Sequence, residues 1–422
     1  MIKIINYNTL TDRRIIASPK PINDVSQTVK EIIQTVREKG DEALFAYAEK
    51  FDKVKLATLR VSEEEMAEGI AKVPKRFLSI LKKSAKNIET FHKKQLRDGF
   101  TLKKKGVVLG QKVTPIERVG LYVPGGTAAY PSTVLMDAIP AKIAGCPKVV
   151  MVTPPGKDGS LPPVILAAAK VAGVDEIYKV GGAQAIAALA YGTETVPKVY
   201  KIVGPGNAFV AEAKRQVFGQ VSIDMIAGPS EILVVADAKN DPRCVAADLL
   251  SQAEHDRNAS AVLVTDSVTF AERVQSAIED LLVTMERKDI ARVSVDNNGK
   301  IIVAKDLSEA IKVANFIAPE HLELCVEEPF KWLKKVKNAG SVFLGRNCPE
   351  AIGDYFAGMN HTLPTSGTAR FSSPLSVDDF VKKTQFAYYT AEALADVADD
   401  VATFARKEGL TGHARSATIR SK

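Results

Sequence analysis

The chain has 422 residues, 46% of them hydrophobic and 25% charged, a balance that excludes a disordered polymer and leaves room for two or three domains with substantial cores. Its net charge of +7 comes from scattered lysines, densest between Lys72 and Lys112, with no RNP, zinc-finger or basic-zipper pattern to make them a nucleic-acid surface. No window approaches about 18 uninterrupted apolar residues and Met1 to Tyr7 lacks the features of a secretory signal, so the expectation is a cytoplasmic protein with no membrane or nucleic-acid partner.

In chain order, residues 1–22 read as a polar N-terminal segment, followed by amphipathic helices over 25–39, 41–51, 62–72 and 74–94. In the last of these, Phe77, Ile80, Leu81, Ala85, Ile88 and Phe91 recur at helical spacing. A lysine-rich stretch, 102–112, leads to a boundary near residue 114. From there strand and helix alternate: strands at 119–123, 148–153, 176–180 and 199–203, helices at 132–144, 162–172, 183–191 and 207–218. Strands this close, joined each time by a helix, require a parallel, doubly wound sheet, because parallel neighbours need a crossover. Such sheets bind ligands at the carboxyl ends of their strands, where three glycine turns fall: Pro124-Gly-Gly, Val180-Gly-Gly-Ala-Gln and Val203-Gly-Pro-Gly-Asn. Each suits a pyrophosphate against a helix N-terminus. None is G-x-G-x-x-G, and no acidic residue is placed to read a ribose as in that fingerprint.

The alternation resumes with a strand at 232–236, a helix opening at Asn240 or Asp241 before Pro242 and running toward Asp256, a strand at 261–265, a helix near 270–287, a strand at 301–304 and a helix at 307–317. A second α/β unit is therefore expected from segments on either side of the first. From about Ser376 a strand and a helix over 391–409 form a tail too small to hold a core alone.

The chemistry concentrates in this second unit. Gln252 and His255 stand three apart, expected on one helix face one turn apart, where an amide oxygen and an imidazole can bind one metal ion or polar ligand. Of the five histidines, His255, His321, His361 and His413 sit in segments dense with Gly, Pro, Asp and Glu. Each alone has an ordinary explanation: a last-turn cap, a solvated strand start, turn chemistry beside Asp354, a frayed chain end. Together they offer an O/N ligand set for a borderline divalent ion, with the Glu320-His321 pair suited to proton transfer. Cys146, Cys244, Cys325 and Cys348 lie far apart with no C-x-x-C pair, and read as reduced thiols.

The runs Arg118-Val-Gly-Leu-Tyr-Val-Pro-Gly-Gly, Gly181-Gly-Ala-Gln, Gly204-Pro-Gly-Asn, Ala227-Gly-Pro-Ser-Glu, Leu250-Ser-Gln-Ala-Glu-His-Asp, Ala318-Pro-Glu-His-Leu, Gly353-Asp-Tyr, Asn360-His-Thr-Leu-Pro-Thr and Gly412-His-Ala, in this order, resemble the histidinol dehydrogenase family. The resemblance implies an α/β protein with two Rossmann-like doubly wound parallel-sheet domains plus small N- and C-terminal helical or extended segments. It divides the chain into an N-terminal segment (1–22), a discontinuous α/β domain carrying most of the active site (23–114 and 230–375), an inserted NAD-binding domain (115–229) and a small tail (376–422).

It further implies oxidation of L-histidinol to L-histidine with two NAD+, in a homodimer with one zinc ion per subunit and exchanged C-terminal tails. Gln252, His255, Asp354 and His413 are the implied zinc ligands. Ser230, Gln252, His255, His321, Asp354, Glu408 and His413 surround the substrate, and Tyr122, Gln184 and Asn207 contact NAD. Glu320 and His321 are the implied acid/base pair, and His361 matches a further active-site position. A zinc hydrolase, using the same metal and Glu-His pair without NAD, is the alternative. Because the reaction passes through an aldehyde, Cys325 raises a covalent thiohemiacetal route that the resemblance does not use.

Overall fold

The computed structural model describes residues 1–16, 24–125 and 129–420. The chain opens with β1 (Lys3–Asn6) and continues through α1 (Ser26–Lys39), α2 (Asp41–Tyr47), α3 (Glu63–Ala71) and α4 (Lys75–His92) to an antiparallel hairpin of β2 (Phe100–Lys104) and β3 (Val107–Pro115). Next come β4 (Arg118–Tyr122), α5 (Pro131–Ile143), β5 (Lys148–Thr153), α6 (Pro163–Ala172), β6 (Glu176–Lys179), α7 (Gly182–Tyr191), β7 (Lys201–Val203), α8 (Ala208–Val217) and β8 (Ser222–Ile223). Their strands form a five-stranded sheet, parallel throughout, in the order β6-β5-β4-β7-β8.

The second series is β9 (Glu231–Ala236), α9 (Pro242–Ala253), β10 (Ser260–Thr265), α10 (Val268–Leu282), α11 (Lys288–Asn298), β11 (Lys300–Val303), α12 (Leu307–Ile317), β12 (His321–Cys325), α13 (Pro329–Leu333), β13 (Ser341–Leu344) and α14 (Glu350–Tyr355). With β1 it builds a six-stranded parallel sheet, β1-β11-β10-β9-β12-β13. The tail is β14 (Val381–Tyr389), α15 (Ala391–Ala395), α16 (Ala398–Lys407) and α17 (Thr411–Thr418). The two expected doubly wound sheets are present. Strands such as β9, β10 and β12 are buried at every position, as a parallel sheet covered by helices on both faces demands.

Several segments depart from expectation. Part of the 1–22 lead-in is a strand: Lys3 to Asn6 pair in register with Lys300 to Val303 at the sheet edge. Four residues with alternating side chains are too short to stand out from a polar context; residues 17–23 lie outside the described residues. The lysine-rich 102–112 stretch, for which no element was expected, is largely strand. It belongs to an antiparallel three-stranded sheet, β14-β3-β2, whose β2 is exposed throughout and whose lysines obscure its short apolar alternation. The 270–287 helix stops at Leu282, and a separate α11 follows, burying Ala291, Ser294 and Val295.

Sheet membership also divides the chain differently from the expected boundaries. Helices α1 to α4 pack on α5, α6, α7 and α8, over the five-stranded sheet, rather than on the six-stranded one. The cause is steric complementarity: Val29, Ile32, Ile33 and Val36 of α1 enter one cluster with the alanine-rich face of α7. Gly69 on α3 admits Leu166 of α6 so closely that an added Cβ would stand 2.3 Å from it.

The turn after β7 is held by a buried ion pair. Lys214 on α8 pairs with Asp224, their side chains only 2% and 1% exposed. The lysine donates to the carbonyl of Gly204 (2.9 Å), while the other Asp224 oxygen accepts the Gly204 N–H (2.8 Å). Gly204 itself has φ +115, and a Cβ there would meet the Tyr122 carbonyl at 2.1 Å, so no other residue fits. Lys214→Met leaves Asp224 buried without its counter-charge and is expected to cost about 3–5 kcal/mol of unfolding free energy in urea denaturation. A loss below about 1 kcal/mol, within the range of an exposed pair, would show that the clamp holds nothing.

Candidate active site

The carboxyl ends of β4, β5, β6 and β7 open on a cavity of about 850 Å³ whose wall includes Tyr122, Pro154, Gln184, Asn207 and Phe209. The three residues expected at the glycine turns thus share one cleft. The Tyr122 hydroxyl accepts the Gly182 N–H at 3.2 Å, tying the first turn to the second. Burial pushes that phenol up to about 12, so it stays neutral. Asn207 caps α8, its side-chain oxygen accepting the N–H groups of Phe209 (3.0 Å) and Val210 (3.1 Å). Gly126, the last residue of the first turn, lies outside the described residues.

The second cluster forms at the opposite edge of the other sheet. β9 and β12 are neighbours, with His321 opposite Ile232, so Ser230-Glu231 and Glu320-His321 meet side by side at the strands' amino ends. Helix α9 runs back antiparallel to β9 and delivers Gln252 to the same edge. His255 lies just past its last residue rather than on it, in a turn closed by its N–H on the Gln252 carbonyl (3.1 Å). Helix α14 contributes Glu350 and Asp354, one turn apart on one face.

His321 is held by geometry that selects a tautomer. Its Nδ1 lies 2.9 Å from the Glu231 carbonyl, and a carbonyl only accepts, so Nδ1 carries the proton and Nε2 is left basic. That Nε2 has no hydrogen-bond partner among the described residues, and it lies 3.8 Å from Glu350 Oε1 and 4.0 Å from Asp354 Oδ1. Glu320 Oε2 accepts the Glu231 N–H at 2.8 Å and sits 3.5 Å from His321 Nδ1. Burial holds the Glu320 carboxyl well above the ordinary carboxylate range, and the charges of Glu231 and Asp354 add to the effect. Burial, then Asp354, pushes Glu350 up to about 7, against the favourable neighbourhood of His321 and the Gln252 amide. Asp354 goes the other way: burial opposes its ionisation, but His361, 3.6 Å away through Nδ1, keeps it below the usual value. Burial also depresses His255, which feels the charges of Asp354, His321 and His361.

The N-terminal turn of α5, at the mouth of the dinucleotide-sized cavity, reaches this cluster. Thr133 Oγ1 lies 3.3 Å from His361 Nε2, Thr362 donates to Asp137 (2.9 Å), and Asn360 donates to the Met136 carbonyl (2.7 Å). The two ligand-sized regions are therefore joined by α5.

His321, Glu350 and Asp354 present ligand atoms within 4.8 Å of one another, an O/N set suited to a divalent ion. Of the expected metal set, Asp354 belongs to this trio, while Gln252 lies beside Glu350 and His255 feels the charges of Asp354 and His321. His413 lies apart. With Glu408 it lines a separate, shallower cavity of about 450 Å³ on the tail, beside Phe404. Helices α16 and α17 pack chiefly on each other, and their cluster is only Ala402, Ala405 and Ala414. Sequence reasoning missed Glu350, although its i, i+4 spacing to Asp354 was a readable signal; it also missed Glu231, whose backbone positions both Glu320 and His321, and Asp137 and Thr133, which only the fold brings near.

The family model for histidinol dehydrogenase matches residues 17–421. The chain belongs to this family. It is 56% identical over 397 residues to a histidinol dehydrogenase of Bacillus thuringiensis subsp. konkukian, covering 94% of this chain and 92% of that one. It is 54% identical over 400 residues to the protein of that name from Clostridium acetobutylicum, covering 94% and 93%. The crystal structure of histidinol dehydrogenase from Elizabethkingia anophelis superposes with a TM-score of 0.94 at 38% identity, covering 99% of this chain and 98% of that one. Histidinol dehydrogenases are NAD-dependent oxidoreductases of histidine biosynthesis, and no described helix here is long and apolar enough to cross a membrane.

Membership sharpens the question of Cys325. It ends β12, four residues or roughly 13 Å from His321 at the strand's other end. Burial and the neighbouring Glu323 raise its thiol far above the usual range, so it is not a thiolate nucleophile. Cys325→Ala is expected to keep activity within a few-fold. A loss of ~1000-fold in kcat, the scale of removing a nucleophile, would restore the covalent route.

Proposed function

We propose that the chain oxidises L-histidinol to L-histidine through L-histidinal, with NAD+ as acceptor in both oxidations. The observation that carries this reading is the anchored His321 ring, whose free Nε2 faces Glu350 and Asp354 inside a buried O/N cluster. Gln252, His255 and Asp354, with His413 of the partner subunit, are the proposed ligands of one zinc ion, which would orient the substrate's amine and imidazole without redox chemistry, while NAD+ against Tyr122, Gln184 and Asn207 would take the hydride. Ser230, Gln252, His255, His321, Asp354 and Glu408 surround the substrate in this reading. Donor chemistry supports a cation here: Asp354 stays ionised, and Glu350 Oε1 is buried beside it with no hydrogen-bond partner among the described residues.

His321 takes the hydroxyl proton at Nε2, and the Glu231 carbonyl stabilises the resulting imidazolium through Nδ1–H. Glu320 then takes a proton from the water that adds to the aldehyde, and the burial that raises its proton affinity fits it to that task. His361 keeps Asp354 ionised and oriented. With NAD+ and L-histidinol, the wild type should form NADH. His321→Asn should damage the alcohol step, and Glu320→Gln should slow oxidation of L-histidinal more than that of L-histidinol. Equal losses on both steps remove this division of labour; no NADH from the wild type overturns the whole reading.

The tail completes the site from a second subunit in the proposed homodimer. Support comes from its geometry: His413 and Glu408 border an open cavity with Phe404, 70% exposed, on helices that pack chiefly on themselves. Two variants deficient in L-histidinal oxidation, His413→Asn and Glu320→Gln, co-expressed, should regain that activity, because an exchanged-tail mixed dimer has one site with both lesions and one with neither. If each tail serves its own chain, every site keeps a lesion and the mixture stays deficient.

A further inference from the structure

The cavity over the five-stranded sheet has two charged side chains on its described wall, Asp52 and Lys157. Lys157 is exposed and screened by water. Asp52 is different. It ends a π-helical turn, Ala48–Asp52, that the left-handed Lys53 (φ 59) terminates, and its neighbour Phe51, stacked on Tyr47 at 5.4 Å, lines the same cavity. Burial is the one influence on its carboxyl, which rises to about 6; it has no cation and no hydrogen-bond donor among the described residues. Its charge is felt at the Tyr122 hydroxyl, which places both groups on the same space.

Position gives the carboxylate its meaning. Asp52 follows α1 and α2, which pack on α7 and α8, whereas the catalytic cluster meets the cleft at the first turn of α5, through Thr133 and His361. A dinucleotide lying across the strand ends with its reacting ring toward His361 brings its adenosine ribose toward the wall that carries Asp52. We propose that Asp52 reads that ribose, accepting hydrogen bonds from its hydroxyls and excluding a 2′-phosphate, so that the cleft takes NAD+ and rejects NADP+; this rests on the dinucleotide reading of the cleft given above. A hydroxyl supplies the donor that the half-buried carboxylate lacks, whereas a phosphate dianion would bring like charge into a place where water screens it poorly. In dinucleotide folds with the glycine fingerprint the acid follows within the same βαβ unit. Here it comes from the helical segment packed across the sheet.

The test uses nicotinamide-free probes, so that binding is read apart from turnover. ADP-ribose and its 2′-phospho derivative are titrated by calorimetry into the wild type and Asp52→Ser, with thermal unfolding of both as the check on folding. The wild type should prefer ADP-ribose by ~10- to 100-fold, the scale of hydrogen bonds to a charged group. Asp52→Ser should bring the two probes within a few-fold, and NAD+ against NADP+ reduction should shift in parallel. An unchanged preference in a folded Asp52→Ser, or equal binding of both probes by the wild type, overturns the inference while leaving the dinucleotide reading standing. Failure of the wild type to bind either probe or to reduce NAD+ overturns both.

Discussion

The pairing of β9 with β12 sets where the proposed chemistry takes place. Its register puts His321 across from Ile232, which leaves Glu231, one residue earlier, with its N–H and its carbonyl both turned to the neighbouring strand. The N–H is donated to Glu320 and the carbonyl receives the His321 ring, so the backbone of one residue orients both members of the proposed proton-transfer pair. A shift of one residue would send His321 to the other face of the sheet. Both strands are buried at every position, so the observed pairing itself, rather than an alternating apolar pattern, holds the cluster's geometry.

The rest of the molecule brings a second surface to that pair. Helix α5 (Pro131–Ile143) meets the segment from Asn360 to Thr362 through three separate contacts. Asp137, in the middle of the helix, is fully buried and pushed up to about 7 by burial and then by Asp224, the partner of Lys214. Lys214 in turn grips the Gly204 turn. A line of buried polar groups therefore runs from His361 through Asp137 and Asp224 to the turn that presents Asn207, and packing rather than a flexible loop sets the distance between the two halves of the site.

What the sequence disclosed follows from the kind of signal each feature leaves. The βα repeats were legible because parallel strands covered on both faces are continuous apolar runs, and the limits expected for 148–153 and 307–317 are those observed. The hairpin β2/β3 was not legible: Phe100 and Leu102 alternate in β2, but the run of lysines that follows them obscures so short a period. The partners of α1 to α4 were also hidden: an amphipathic stripe announces that a helix packs, and only the shapes of Gly69 against Leu166, or α1 against the alanines of α7, decide on what. Among site residues, those in glycine- and histidine-rich motifs stood out. Glu350 and Glu231 did not, because one is a carboxylate in an ordinary helix turn and the other acts through its backbone.

The two ends of these sheets also differ in electrostatic sign, and the expected ligands sort accordingly. Crossover helices enter at the carboxyl ends of parallel strands and finish at the amino ends, so α5, α7 and α8 point positive N-termini at the cavity over β4 to β7, the sense that favours phosphate. The cluster at the amino ends of β9 and β12 lies instead at the finish of α9 and α12, whose C-termini add negative potential to Glu320, Glu350 and Asp354. That potential favours a metal cation or a protonated amine and disfavours a phosphate. Had both ligand regions formed at carboxyl ends, as the usual rule for open sheets suggests, the amine-bearing substrate would have faced the same positive dipoles as the dinucleotide. Joining the carboxyl end of one sheet to the amino end of another gives each ligand a field of the sign it needs, with α5 as the element common to both.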